Sequence, residues 1–210
     1  MTHELKLYHY WRSSSSWRVR WALEIKKIKY ESIAVNLLKK EQQSAEYIAK
    51  NASGFVPCLE INGQPFGESL AIIEWLEEQY PEPSLLPKDR HERLKVRQLA
   101  LIIAAGTQPL QNLAAQVYYS PDKEKRKEYA QHWINAGFAS YEATMSATSN
   151  YSFGNTITLA DLCLLPQCYN ALRFGVELEK YPNIFRVYNN CIELESYQNS
   201  HPDKQPGAVV

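Results

Sequence analysis

Long apolar runs, an excess of either charge and clustered cysteines are all missing from this chain, and each absence narrows what it does. No stretch of about 18 apolar residues occurs, so no helical membrane span is expected. Lysine and arginine total 23, aspartate and glutamate also 23, and the two signs are interspersed. That is unlike the cationic footprint of a nucleic-acid binder. The cysteines (Cys58, Cys163, Cys168 and Cys191) have neither CxxC spacing nor the density of a disulfide-stapled chain. Reduced thiols in the cytoplasm are the expectation. The histidines (His3, His9, His91, His132 and His201) form no HxxxH or HExxH pattern, so no metal site is expected. The N-terminus enters a strand at once and lacks a signal peptide's apolar core.

What is present is most concentrated at Arg12-Ser13-Ser14-Ser15-Ser16-Trp17. Before it, Leu5 to Tyr10 alternates apolar and polar residues, the period of a half-buried strand. After it, Val19, Ala22 and Leu23 fall at helical spacing. A serine-rich turn between strand and helix places hydroxyls at the first unpaired N–H groups of the helix. Such an end attracts anions, thiolates included, and also uses serine as an ordinary cap.

Further strands are expected at Glu31 to Asn36, Pro57 to Ile61 and Gln64 to Phe66, with short and long helices at Ser44 to Lys50 and Glu68 to Tyr80. Asn62-Gly63 between apolar segments signals a hairpin. Pro81 and Pro83 break the last helix. Beyond Asp89 strand signals stop, and helices are expected over 92–113, 123–146, 159–174 and 182–195. Thr158-Leu-Ala-Asp161 has the form of a capping box, flanked by Ile157 and Leu162 as a hydrophobic staple. The fold class is α/β followed by all-α, with a mixed sheet in residues 1–83, a linker at 84–90 and a helical domain at 91–210.

Tyr10 to Arg20, Val56-Pro57, Glu68-Ser69 and the run to Glu78, Gln108 to Asn112, Leu159 to Gln167 and Asn170 to Phe174 together resemble the cytosolic glutathione transferases. The likeness is most specific to their zeta class, the maleylacetoacetate and maleylpyruvate isomerases. It runs from about Lys6 to Pro206, nearly the whole chain. The resemblance implies a thioredoxin-like glutathione-binding domain, a helical-bundle domain and a homodimer.

It also implies a site. Ser13 would donate to the glutathione sulfur, with Ser14 and Ser15 completing the anion pocket. Val56, before a cis-Pro57, would pair with the peptide, and Glu68 and Ser69 would hold the γ-glutamyl carboxylate. Gln42, Gln108 and Asn112 match further glutathione contacts, with surface amides as the alternative. Arg12 and Arg173 match the cations that clamp a small-molecule carboxylate substrate. Thiolate addition to a cis double bond, rotation and elimination would give the trans acid, as in tyrosine and phenylalanine breakdown.

Arg18 and Arg20 lie deeper in the helix and are assigned to structural ion pairs. Cys58 is expected in the core, as are Tyr8 and Tyr10 or a wall beside it. Ser15 stands where the class commonly has cysteine, and Ala52 where it has proline. The Asn112-Leu113-Ala114 run lacks an arginine that some maleylpyruvate isomerases carry, which tilts the reading toward maleylacetoacetate. Two alternatives remain at this point. One is a general transferase conjugating or dehalogenating small electrophiles, and the other a transferase-like interaction module without catalysis.

Overall fold

A computed structural model describes residues 3–209 and divides the chain into two compact units. The first joins the residues up to Pro83 with those from Glu195 onward, and the second is Ser84–Leu194.

In the first unit, β1 (Leu5–His9), α1 (Ser14–Ile25) and β2 (Glu31–Ala34) form a parallel βαβ unit. After α2 (Ala45–Lys50), β3 (Cys58–Ile61) and β4 (Gln64–Phe66) make an antiparallel hairpin, and α3 (Ser69–Gln79) closes the unit. The sheet order is β2-β1-β3-β4, with β3 antiparallel to β1, so the sheet is mixed. Asn62 and Gly63 both have positive φ (50° and 85°), the backbone that a tight Asn-Gly hairpin turn requires.

α1 is buried from Ser16 through Leu23 because it is covered on more than one side. Leu7 and Leu59 of the sheet are fully buried, and α9 (Glu195–Ser200) returns to pack on α1. Tyr197 of α9 stands between Trp17 and Trp21, with ring centroids at 5.1 and 5.4 Å. Both indoles donate into that tail, Trp17 Nε1 to Ser200 Oγ at 2.9 Å and Trp21 Nε1 to Ser196 Oγ at 3.1 Å. Residues 195–210, expected with the helical domain, therefore belong with the first unit. Two tryptophans on one helix need a cover, and the tail supplies it.

Buried cations tie this unit together. Lys26 Nζ meets Glu77 Oε2 at 2.8 Å and donates to the carbonyls of Tyr80 and Pro83, closing the end of α3. Arg20 is 1% exposed and donates to the carbonyls of Trp11 (2.9 Å), Ser200 (3.3 Å) and Tyr10 (3.4 Å), and to His9. The ion pair expected for Arg20 is thus replaced by carbonyl dipoles, which satisfy a guanidinium's donors without a second buried charge.

The second unit contains α4 (Arg90–Ala104), α5 (Leu113–Tyr119), α6 (Lys123–Thr144), α7 (Leu159–Arg173) and α8 (Pro182–Ile192). The helix expected over 92–113 stops at Ala104, because Pro109 lacks an N–H and disfavours helical backbone at Gln108. Asn112 then caps α5, which the sequence reading had not separated. α7 is buried along most of its length and begins at the expected capping box, with Asp161 Oδ2 accepting from Thr158 N at 2.8 Å. Its other oxygen accepts from Ser152 N, so a fully buried carboxylate is held by neutral donors. Glu142 of α6 caps α8, accepting from Asn183 N and Ile184 N at 2.8 and 2.9 Å. Among the described residues no helix is long and apolar enough to cross a membrane.

Candidate active site

The serine run ends β1's connection and starts α1. Ser13 is the N-cap, extended at φ −71° and ψ 118°, and its Oγ accepts from Ser16 N at 3.2 Å. Because the cap uses Ser13 as an acceptor, its hydroxyl proton is left for another partner. Ser14 and Ser15 occupy the first turn, where backbone N–H groups have no partner within the helix. Ser14 is buried and Ser15 half-buried.

Ser15 also connects this end of α1 to the start of α3. Its Oγ lies 3.2 Å from Ser69 Oγ, so two helix N-termini converge on one pair of hydroxyls. Ser69 is only 4% exposed. It follows Glu68, whose φ of 65° is in a region that side chains other than glycine rarely adopt. That backbone outlier sits where α3 offers its unpaired N–H groups, and strain of this kind gathers at ligand-holding positions.

Arg18, expected to be structural and remote, donates from Nη1 to Ser69 Oγ at 3.3 Å. It therefore touches the site, a contact the reading from sequence had not foreseen. The signal was present in the spacing, since Arg18 is one turn on from Ser15 and shares its face of α1.

The Val56–Pro57 peptide bond is cis and leads into β3. Val56 is buried in a cluster with Tyr10, Trp11, Val35, Tyr47 and Cys58. Gln42 lies in a short 3-10 turn (Glu41–Gln43) beside Gly54, and its Oε1 is buried without a hydrogen-bond partner among the described residues. Such an acceptor suits a ligand bearing N–H groups. Arg12 is half-buried, with its guanidinium carbon 5.2 Å from the Trp11 ring centroid.

Three expected site residues belong to the second unit. Gln108 is partly buried in the turn after α4, and Asn112 Oδ1 accepts from Ala114 N at 3.4 Å as the cap of α5. Arg173 is exposed in the last turn of α7, 5.9 Å from both the Tyr169 and Phe174 rings. The structure thus joins Ser13, Ser14, Ser15 and Ser69, adds Arg18, and carries Gln108, Asn112 and Arg173 in the second unit.

No cysteine of the chain is suited to be the nucleophile. All four are buried, and burial pushes the thiols of Cys58, Cys168 and Cys191 up, away from the thiolate. The site instead offers hydroxyl protons and two helix N-termini, a set suited to an anionic ligand.

Comparison with known proteins agrees with that chemistry. The family profile "Glutathione S-transferase, N-terminal domain" matches residues 7–84, and "Glutathione S-transferase, C-terminal domain" matches 104–195. The chain belongs to the glutathione S-transferase family. Within it, this transferase falls in the zeta class. It is 45% identical over 208 residues to the maleylacetoacetate isomerase of Dictyostelium discoideum, covering 96% of this chain and 95% of that one. With the maleylpyruvate isomerase of a Ralstonia species it shares 42% over 212 residues, covering 98% and 100%. Among solved structures, the holo form of a zeta-class bacterial maleylpyruvate isomerase superposes with a TM-score of 0.94 at 41% identity, covering 97% and 100%. The maleylacetoacetate isomerase of Anaeromyxobacter dehalogenans 2CP-1, solved with glutathione in its active site, gives 0.89 at 44%, covering 99% of each chain.

Proposed function

We propose that this transferase is a glutathione-dependent isomerase that converts maleylacetoacetate-type acids to their trans isomers in the breakdown of tyrosine and phenylalanine. The observation that carries this reading is Ser13: its oxygen is engaged by Ser16 N at 3.2 Å, so its proton is free for a ligand sulfur at the start of α1. Relatives named maleylacetoacetate isomerase, spanning nearly the whole chain, support the choice of substrate class.

Glutathione, when bound, supplies the thiolate that adds to the cis double bond and is expelled after rotation. The chain's share is electrostatic and positional. Ser13 donates to the sulfur, and the N–H groups of Ser14 and Ser15 add partial positive charge, so the ionised thiol is favoured. Gln42 Oε1 accepts an N–H of the peptide, and the Val56 backbone pairs with it. Glu68 and Ser69 present the α3 N-terminus to the γ-glutamyl end. Arg12, stacked near Trp11, offers its planar fork to a substrate carboxylate, and the same role is proposed for Arg173. Gln108 and Asn112 are proposed as amide contacts to the tripeptide.

Absorbance with maleylacetone as substrate tests the proposal. Conversion only in the presence of glutathione is the expected result. Conjugation of arene halides or chloro-acids without isomerisation would leave a general transferase, and absence of glutathione binding would leave an interaction module.

A homodimer is also proposed. Leu94 and Leu101, two turns apart on α4, are 65% and 48% exposed, and such a stripe suits a second copy. Its test is the mass in solution by light scattering, where a monomer overturns it. A cytoplasmic location is proposed from the four free thiols. Cell fractionation checks it.

A further inference from the structure

Ser69 Oγ has two hydrogen-bond donors aimed at it from the same helix. Arg18 Nη1 is 3.3 Å away and Ser15 Oγ 3.2 Å away. A guanidinium is only ever a donor, so one lone pair of Ser69 is fixed as an acceptor whatever else binds. A hydroxyl has two lone pairs and one proton. Once Ser15 donates to the second lone pair, the Ser69 proton has no partner in that pair of contacts and must point elsewhere. Arg18 is 1% exposed and Ser69 4%, so water competes little for either.

We propose that Arg18 is a positioning residue for the carboxylate of glutathione. Together with Ser15 it occupies both lone pairs of Ser69 Oγ and so commits the Ser69 proton to the ligand. The inference rests on glutathione being the ligand of this site. It also gives Ser15 a task of its own. A thiol at that position is a weak donor, whereas the hydroxyl closes the relay, so serine here strengthens carboxylate binding instead of standing in for a reactive cysteine. No bond is made or broken in this role.

Titration calorimetry of glutathione into the full-length protein tests it through a double-mutant cycle of Arg18→Lys and Ser69→Ala. Arg18→Lys keeps the charge and loses the fork. Each single change is expected to weaken binding about tenfold, the scale of one hydrogen bond involving a charged group. In the Ser69→Ala background, Arg18→Lys is expected to cost less than about twofold, because its route to the ligand is gone. Equal losses in both backgrounds would overturn the proposal and make Arg18 structural only. If Arg18→Lys does not fold, as judged by thermal melting, the Ser15→Ala and Ser69→Ala cycle reads the other arm of the relay. There, non-additive losses, with Ser15→Ala costing little once Ser69 is gone, support the relay, and additive losses overturn it. Wild-type protein that binds no glutathione overturns the glutathione reading and the relay with it, whereas binding with additive losses removes the relay alone.

Discussion

Arg20 Nη1 lies 3.2 Å from His9 Nδ1, and this contact sets the histidine's tautomer. The guanidinium has no acceptor, so Nδ1 accepts and Nε2 carries the proton, which it directs at Ser32 Oγ 2.7 Å away. Burial, and then the Arg20 charge, pull His9 down to about 3 from the ordinary 6.5. Arg20 itself is pulled down by burial to about 9 and stays protonated at neutral pH. The pair fastens β1 to α1 directly behind the serine turn.

That histidine predicts an acid-sensitive fold. Between about pH 6.5 and 3 the unfolded chain binds a proton at this position and the folded chain does not, so stability is full above the window and is lost as pH falls through it. Complete titration corresponds to on the order of 5 kcal/mol. His201, also lowered by burial, acts in the same direction, so His9→Gln isolates one share. Denaturant melts from pH 7 to pH 4 should show a flatter slope for the variant, and an unchanged slope would rule His9 out as the source.

Ser13→Ala removes a cap and a donor at once, and the two losses separate by measurement. Stability should fall by about 1 kcal/mol, the ordinary value of an N-cap. Glutathione-dependent turnover should fall far more, roughly 100-fold, as when one fixed donor is removed from developing or resident negative charge. The bound thiol should move back toward its ordinary value of about 8.5, shifting the acidic limb of the pH–rate profile upward. Equal activity in the variant would remove Ser13 from the chemistry.

Local features were legible in the sequence, and contacts between distant segments were not. The Asn62-Gly63 turn, the serine start of α1 and the Thr158–Asp161 cap are each decided by a few neighbouring residues, and the structure has them all. The Arg18–Ser69 contact joins helices 51 residues apart, and Trp17–Ser200 joins segments 183 apart. Periodicity shows that Trp17 and Trp21 are covered, without saying by what. Arg20 looked like half of an ion pair because it lies too deep in the helix to face the serine turn. Carbonyls at a loop and a distant tail carry no sequence signature. The break after Ala104 was more accessible, since Gly106 and Pro109 both mark it.

The returning tail yields a second stability prediction. Tyr197, 5% exposed, fills the space between two buried indoles, so Tyr197→Ala should cost roughly 3 kcal/mol. Removal of the residues after Leu194 should be more severe, because Trp17 Nε1 and Trp21 Nε1 lose their acceptors as well as their cover. Tryptophan emission should shift to the red as melting temperature falls. A truncated chain with unshifted emission and an unchanged melting point would show that the tail does not stabilise α1.

Gly137 gives a case in which helix propensity and packing disagree. It lies inside α6, where alanine ordinarily stabilises by up to about 1 kcal/mol. A methyl group there would collide with the side chain of Thr107. Thr107 is fully buried, and its hydroxyl is anchored to the Ile102 carbonyl at 2.7 Å, so it cannot swing aside without giving up that bond. Packing should win: Gly137→Ala is expected to destabilise by roughly 2 kcal/mol in denaturant melts. Adding Thr107→Ala should return part of the loss, because the Oγ1 and Cγ2 collisions are removed while the Cβ of residue 107 would still lie 2.9 Å from the new methyl. If the single variant instead gains stability, propensity dominates and the close approach of α6 to Thr107 is soft.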